Sequence, residues 1–206
     1  MKSPLMAAFV AATLVFAHNA GAQDESTYDY IGVGISSNDA SQSTGLFGDD
    51  DDEAQGLKLF AGGGGSYGNK SLGVELGLFN HGESNYGFGS SASVDIEVAS
   101  AYAAFVGAIS VTDGVSLFGK LGSHYWNFEA TGRGTLFGKD EDNGFDWFYG
   151  VGIDFGAADG EGPVLRLEYE VFSAEPEITF ATLSGTTEVE GDYEASHLSL
   201  SWLYRF

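Results

Sequence analysis

From Tyr30 to Phe206 the chain repeatedly enters a pattern in which every second residue is apolar. Ile31, Val33 and Ile35 alternate with Gly32 and Gly34, and Leu57, Leu59 and Ala61 with Lys58 and Phe60. Leu72, Val74, Leu76 and Leu78 then alternate with Gly73, Glu75, Gly77 and Phe79. Val94, Ile96 and Val98 oppose Asp95 and Glu97, after which both sets are small or apolar as far as Ile109. Leu117 and Leu121 oppose Phe118 and Lys120. The series Trp147, Tyr149, Val151, Ile153, Phe155 opposes Phe148, Gly150, Gly152, Asp154, and Leu165, Leu167, Tyr169, Val171 oppose Arg166, Glu168, Glu170. The chain closes on Leu198, Leu200, Trp202, Tyr204 and Phe206, set against Ser199, Ser201 and Arg205. Side chains of a strand alternate between its two faces, so the pattern predicts about eight strands, each with one apolar face.

The connections fall into two kinds that alternate strictly. Segments 37–54, 82–91, 130–144 and 174–192 are long and polar, whereas 63–70, 110–114 and 156–162 are shorter turns, the first closed by the glycines Gly62 to Gly65. Antiparallel strands place successive connections at opposite ends, so all long loops belong to one end and all short turns to the other. That asymmetry is the one transmembrane β-barrels show. After residue 22 no stretch approaches the roughly 18 consecutive apolar residues of a spanning helix, so a membrane-spanning reading requires a barrel. The predicted fold is an all-β, eight-stranded antiparallel up-and-down transmembrane barrel.

Composition sharpens this. Lys2 precedes an apolar run from Leu5 to Phe16, and Ala20-Gly21-Ala22 supplies a small-x-small cleavage site. Residues 1–22 are expected to be a signal peptide cleaved near Ala22, and residues 23–206 the barrel. There are 31 Gly, 16 Phe and 10 Tyr but no Cys, as in a turn-rich β protein without disulfides. With 30 acidic against 8 basic residues, the net charge of -22 excludes nucleic acid as a partner. Trp126, Trp147 and Trp202 are expected in interfacial girdles.

The last nine residues resemble the C-terminal strand by which outer-membrane barrels are recognised for insertion, with Leu198, Leu200, Trp202, Tyr204 and Phe206 as the outward series. VELGLFN at 74–80, LFGKLG at 117–122, GVGIDF at 150–155, VLRLEYE at 164–170 and this closing stretch together resemble the transmembrane barrel domain of the OmpA family. GLKLFAG at 56–62 is similar to that family's second strand. The resemblance covers essentially the whole mature chain and implies the outer membrane of a Gram-negative bacterium. Its expected partners are outer-membrane lipid and lipopolysaccharide, the barrel-insertion machinery and an extracellular surface ligand. It also implies an interior charge network, and Glu75, Lys120, Asp154 and Arg166 occupy such positions. Only the transmembrane barrel domain of that family is resembled, and its peptidoglycan-binding domain is not expected.

The candidate chemistry is sparse. The charged strand residues Glu75, Lys120, Asp154, Arg166 and Glu168 lie opposite the apolar series, so an apolar face turned to lipid encloses these two basic and three acidic groups in the lumen, where they need partners. Eight strands leave an interior that side chains fill, which favours a plug over a gated passage. The runs Asp49–Glu53 and 140–144 lack the spacing of a calcium loop, and 63–71 lacks that of a phosphate loop. His197 and Ser199 share a face, as in a lipid-modifying barrel hydrolase, but no acidic residue follows to orient the histidine. The expectation is therefore a non-enzymatic barrel with no cofactor or metal, serving envelope integrity or surface interaction through acidic loops. A small gated pore is the alternative, and a lipid A-modifying enzyme ranks below it.

Overall fold

A computed structural model describes residues 26–42, 53–88, 92–134, 136–156, 161–182, 185–190 and 193–206. The predicted signal peptide and Asp49–Asp52 lie outside the described residues. The strands are β1 (Ser26–Gln42), β2 (Glu53–Tyr67), β3 (Lys70–Phe88), β4 (Ala92–Thr112), β5 (Val115–Gly134), β6 (Leu136–Gly156), β7 (Gly162–Ala174), β8 (Glu177–Thr182), β9 (Gly185–Glu190) and β10 (Tyr193–Arg205). Each of β1 to β6 pairs antiparallel with the next, β7 pairs with β10, and β10 returns to β1. These eight strands close on themselves, so the barrel has no free edge. The ring is fastened beside the chain end, where Asp29 and Phe206 exchange backbone hydrogen bonds of 3.0 and 2.9 Å.

The outward face carries a belt of exposed apolar side chains to which every barrel strand contributes: Ile31, Leu57, Leu72, Phe105, Leu117, Val151, Leu165 and Leu200 are examples. Leu167 and Trp202 point out with them. A water-soluble barrel would bury this series, whereas hydrocarbon is the solvent that matches it.

Four expectations are corrected. The glycines Gly62–Gly65 lie inside β2, and the turn is Gly68–Asn69, where Gly68 takes φ 61°. Gly62 is needed in the strand because a Cβ there would strike the Tyr30 ring. Segments 82–91 and 130–144 are largely strand, since β3 to β6 keep pairing beyond the apolar belt. Segment 174–192 contains the hairpin β8–β9, tied to β6 at Leu136 and Phe137. Finally, Val94, Ile96, Val98 and Trp126 face inward and are buried, so only Trp147 and Trp202 of the three tryptophans lie on the outer surface. The cause is parity: Trp126 shares the face of Phe118, Lys120 and His124.

One irregularity positions a luminal side chain. Between Asn80 and Glu83 the β3–β4 register slips by one residue, the mark of a β-bulge. Gly82 adopts φ 94° there and donates its N–H to Asn80 Oδ1 at 2.8 Å. The extra residue keeps both His81 and, beyond the slip, Ser84 pointing into the barrel.

Candidate functional site

The lumen is stacked in layers. Toward the short-turn end, Tyr30, Phe60, Val164 and Leu203 form an apolar floor. Above it, the four charged residues singled out in the sequence meet. Glu75 Oε1 lies 3.0 Å from Lys120 Nζ, and Glu75 Oε2 lies 2.7 Å from Arg166 Nη1. Arg166 donates to both oxygens of Asp154, from Nε at 2.8 Å and Nη2 at 3.0 Å. Such a fork is the geometry in which guanidinium and carboxylate pair best. The hydroxyls of Tyr30 and Tyr102 each donate to Glu75 at 2.9 Å, so both of its oxygens accept from a cation and a phenol.

The network is larger than those four. Lys58 Nζ reaches Glu168 Oε2 at 2.5 Å and Glu170 Oε2 at 2.7 Å across the width of two strands. Lys120 approaches the other oxygens of the same carboxylates at 2.6 and 2.5 Å, as ion pairs off the hydrogen-bonding angle. The sequence did place Lys58, Glu168 and Glu170 on the face opposite the apolar series. What it could not supply was the barrel radius that lets β2 reach β7 across the lumen. The network therefore holds three cations, Lys58, Lys120 and Arg166, against four carboxylates, Glu75, Asp154, Glu168 and Glu170. Buried ions of this kind specify an arrangement more than they add net stability, and losing one partner is costly.

A layer of histidine and aromatic rings lies above. His81 Nδ1 and His197 Nε2 are 2.8 Å apart, His81 Nε2 lies 2.8 Å from Ser100 Oγ, and His124 Nε2 lies 2.8 Å from the Ser173 carbonyl. Phe79, Phe148 and Phe172 pack between these rings. The hydrolase arrangement is not formed. His197 is turned to His81, Ser199 Oγ has no hydrogen-bond partner among the described residues, and both residues are sealed in the lumen. Among the described residues no three His, Asp or Glu side chains converge as a metal site.

Toward the long-loop end an apolar plug of Val94, Ile96, Val98, Trp126, Phe128, Ala130, Ala174 and Ala195 fills the barrel. Outside it the strands carry acid. Glu83, Glu97, Glu129 and Glu141 stand directly opposite one another across β3, β4, β5 and β6 on the outward face. Like charges so placed repel. Lys139 relieves one end, 2.7 Å from Glu129 and 3.0 Å from Glu141, and these hydrogen bonds raise its ammonium above the usual lysine range. The predicted loop acids Asp140 and Asp142 accept backbone N–H groups of Thr179 and Glu177 at 2.7 and 2.8 Å, which ties the hairpin β8–β9 to β6.

An apolar outer belt, a closed ring of eight strands and, at the level of that belt, ions confined to the lumen define a transmembrane β-barrel. Residues 7–206 match the outer membrane protein beta-barrel domain family, and the chain belongs to that family. Among solved structures it is similar to Ail, the attachment invasion locus protein of Yersinia pestis. The identity is 15%, covering 87% of this chain and 99% of Ail, with a TM-score of 0.53; that structure holds the heparin analogue sucrose octasulfate. OprG of Pseudomonas aeruginosa shares 14% identity over 87% of this chain and 95% of its own, with a TM-score of 0.55. A major outer membrane protein of Thermus thermophilus shares 14% over 88% and 100%, also with a TM-score of 0.55. No curated protein sequence matches the chain.

Proposed function

We propose that this is a closed, non-catalytic barrel of the Gram-negative outer membrane, serving envelope integrity or surface interaction through the parts that project beyond the bilayer. The carrying observation is the apolar plug above the ion network. A continuous water path would have to cross Val94, Ile96, Phe128 and Trp126, which are at most 4% exposed. The loops face outward, and the start of β1 and the end of β10 lie together on the periplasmic side, the orientation in which short turns are periplasmic and the C-terminal strand can be read during insertion. On this reading residues 1–22 are the export signal.

The projecting surface suggests a partner class. Ail is seen with a polysulfated sugar. Here the row of glutamates and the overall charge of -22 would repel such a ligand, so a cationic partner fits, as does a divalent cation shared with lipopolysaccharide phosphate. The test is reconstitution of the refolded protein in planar bilayers. The expected current does not exceed that of a protein-free membrane. Discrete conductance steps that change on Arg166→Gln substitution would favour the gated-pore reading, which rests on the charge network. Binding of cationic peptides to intact cells should fall when the β3–β4 and β5–β6 projections are shortened.

A further inference from the structure

The outer wall has one place where its apolar belt thins to backbone. Read across β3, β4, β5 and β6, a single row runs Leu72, Gly107, Gly119, Val151, so two adjacent strands present glycine to the hydrocarbon side by side. The outward row toward the long loops carries Phe105, Leu121 and Tyr149, and the outward row toward the short turns begins at Lys70 and continues through Ile109 and Leu117. Phe105 is 76% and Leu72 67% exposed, so these side chains stand proud of the wall around a glycine floor. The hollow they enclose has a volume of about 500 Å³.

The fold does not require these two glycines. Inside the barrel glycine is obligatory at several positions, because a Cβ on Gly32, Gly62, Gly77 or Gly152 would come within 2.5 Å of a ring or carbonyl atom. A Cβ on Gly107 would meet nothing nearer than Leu72 Cδ2 at 3.5 Å, and one on Gly119 nothing nearer than the Gly150 carbonyl at 3.8 Å. Neither residue takes a positive φ. Glycine weakens a strand interior, and where neither backbone nor packing demands it, it marks a close approach from outside. The hollow lies within the apolar belt, so what approaches it is hydrocarbon.

Lys70 supplies the other half of a ligand. It opens β3 at the short-turn rim, on the same face as Leu72 and about 7 Å from it along the strand. It is exposed and has no ion pair among the described residues. Lys58, Lys120 and Arg166 are shut in the lumen, Arg133 and Lys139 belong to the long-loop end, and Arg205 lies over the Tyr28 ring. Among the described residues Lys70 is therefore the one outward basic side chain at this end. In a chain of net charge -22, such an ammonium at the membrane boundary attracts an anionic headgroup.

We propose that the face between β3 and β6 binds one anionic phospholipid of the periplasmic leaflet, with an acyl chain laid over Gly107 and Gly119 and the phosphate paired with Lys70. The choice of leaflet rests on the orientation proposed above, with the short turns in the periplasm. A chain seated on the glycine floor touches backbone beneath it and the Phe105, Leu121 and Tyr149 side chains beside it. That is more protein surface than a chain on a convex stretch of the belt can reach.

The test places the full mature chain in phosphatidylcholine vesicles doped with phosphatidylglycerol that carries a photoactivatable diazirine in one acyl chain. Adducts mapped by mass spectrometry are expected to concentrate on Leu72, Phe105, Leu121 and Val151. Adducts spread evenly around the belt, or a cross-link between two copies through this face, would overturn the proposal. Gly119→Leu fills the hollow without crowding the wall, and should lower the adduct yield at these four residues about tenfold while heat-modifiable migration is kept. Lys70→Gln should lower it about threefold at low salt and less at high salt. Unchanged yield in both variants would also overturn the proposal; if Gly119→Leu fails to fold, the adduct map of the unaltered protein decides. Orientation has a separate readout: Lys70→Cys in whole cells should react with a membrane-impermeant maleimide only after the outer membrane is permeabilised. Labelling in intact cells would overturn the orientation and the choice of leaflet, whatever the adduct map shows.

Discussion

On β4, Val94, Ile96 and Val98 point into the barrel while Asp95 and Glu97 point out; a few residues along the same strand Ala101, Ala103 and Phe105 face outward and Tyr102 turns toward the ion network. β5 makes the same exchange. Its outward series runs from Leu117, Leu121 and Tyr125 to Asn127 and Glu129, and its inward series from Lys120 and His124 to Trp126, Phe128 and Ala130. The membrane level of the barrel thus has a greasy exterior and an ionic interior, and the projecting level has the reverse. The strands do not change face at the boundary; the solvent does. Where hydrocarbon surrounds the wall, the ions must go inside and find partners, and where water surrounds it, ordinary burial of apolar surface resumes.

Substitutions at the two levels should have different costs. The largest effect is expected at the ions. Arg166→Leu leaves two cations against four carboxylates and strands Asp154, and should cost about 3–5 kcal/mol in urea unfolding followed by tryptophan fluorescence. Glu75→Gln moves the balance to three against three and should cost clearly less. Equal losses would show that the count of charges does not govern the network. In the plug, Trp126→Ala should open a cavity costing about 3 kcal/mol, with the inner layers and the fold retained. Trp202→Ala, on the lipid face, leaves no cavity and should cost less in the same assay.

A smaller effect is expected where the bulge sets the histidine layer. A Cβ on Gly82 would lie 2.6 Å from the Gln55 carbonyl, at a φ of 94°. Gly82→Ala should therefore cost about 1–3 kcal/mol, and it should shift the ring NMR signals of His81 and His197 together. A Gly82→Ala protein with unchanged ring signals would mean that the bulge does not position His81. The smallest effect lies on the outer acidic row. Lys139→Met should lower the melting midpoint slightly at low salt and not at high salt, because screening relieves the glutamates. Since the Lys139 ammonium is held above its ordinary range, its contribution is whole at neutral pH and fades only as pH rises past that range.

Much of this architecture was legible in the residue pattern. The alternation of Leu72, Val74, Leu76 and Leu78 against Glu75, and of Leu165 and Leu167 against Arg166, reports directly which face meets lipid, because side-chain parity is fixed by strand geometry. Glu75, Lys120, Asp154, Arg166 and Glu168 were placed inside by that parity. Lys58 and Glu170 carried the same signal, yet the meeting of Lys58 with Glu168 and Glu170 depends on closure of the ring, which no local pattern encodes. The plug was misread for another reason. Val94, Ile96 and Val98 alternate as cleanly as any lipid-facing series, and only the exchange of polarity between the two parities near residue 98 marks the passage out of the membrane. The bulge at Gly82 and the β8–β9 hairpin were missed because both lie in polar stretches whose composition reads as loop.

The most direct measurement is a single-cysteine spin-label scan of β4 from Ser93 to Ile109, made simple by a chain that has no cysteine of its own. Even-numbered sites from 94 to 106 are expected to be shielded. Labels at 95 and 97 should be open to a water-soluble relaxant, and those at 101, 103, 105 and 109 to oxygen dissolved in lipid. Oxygen accessibility at 94, 96 and 98 equal to that at 105 would contradict it, because those side chains would then face hydrocarbon and no plug would close the barrel.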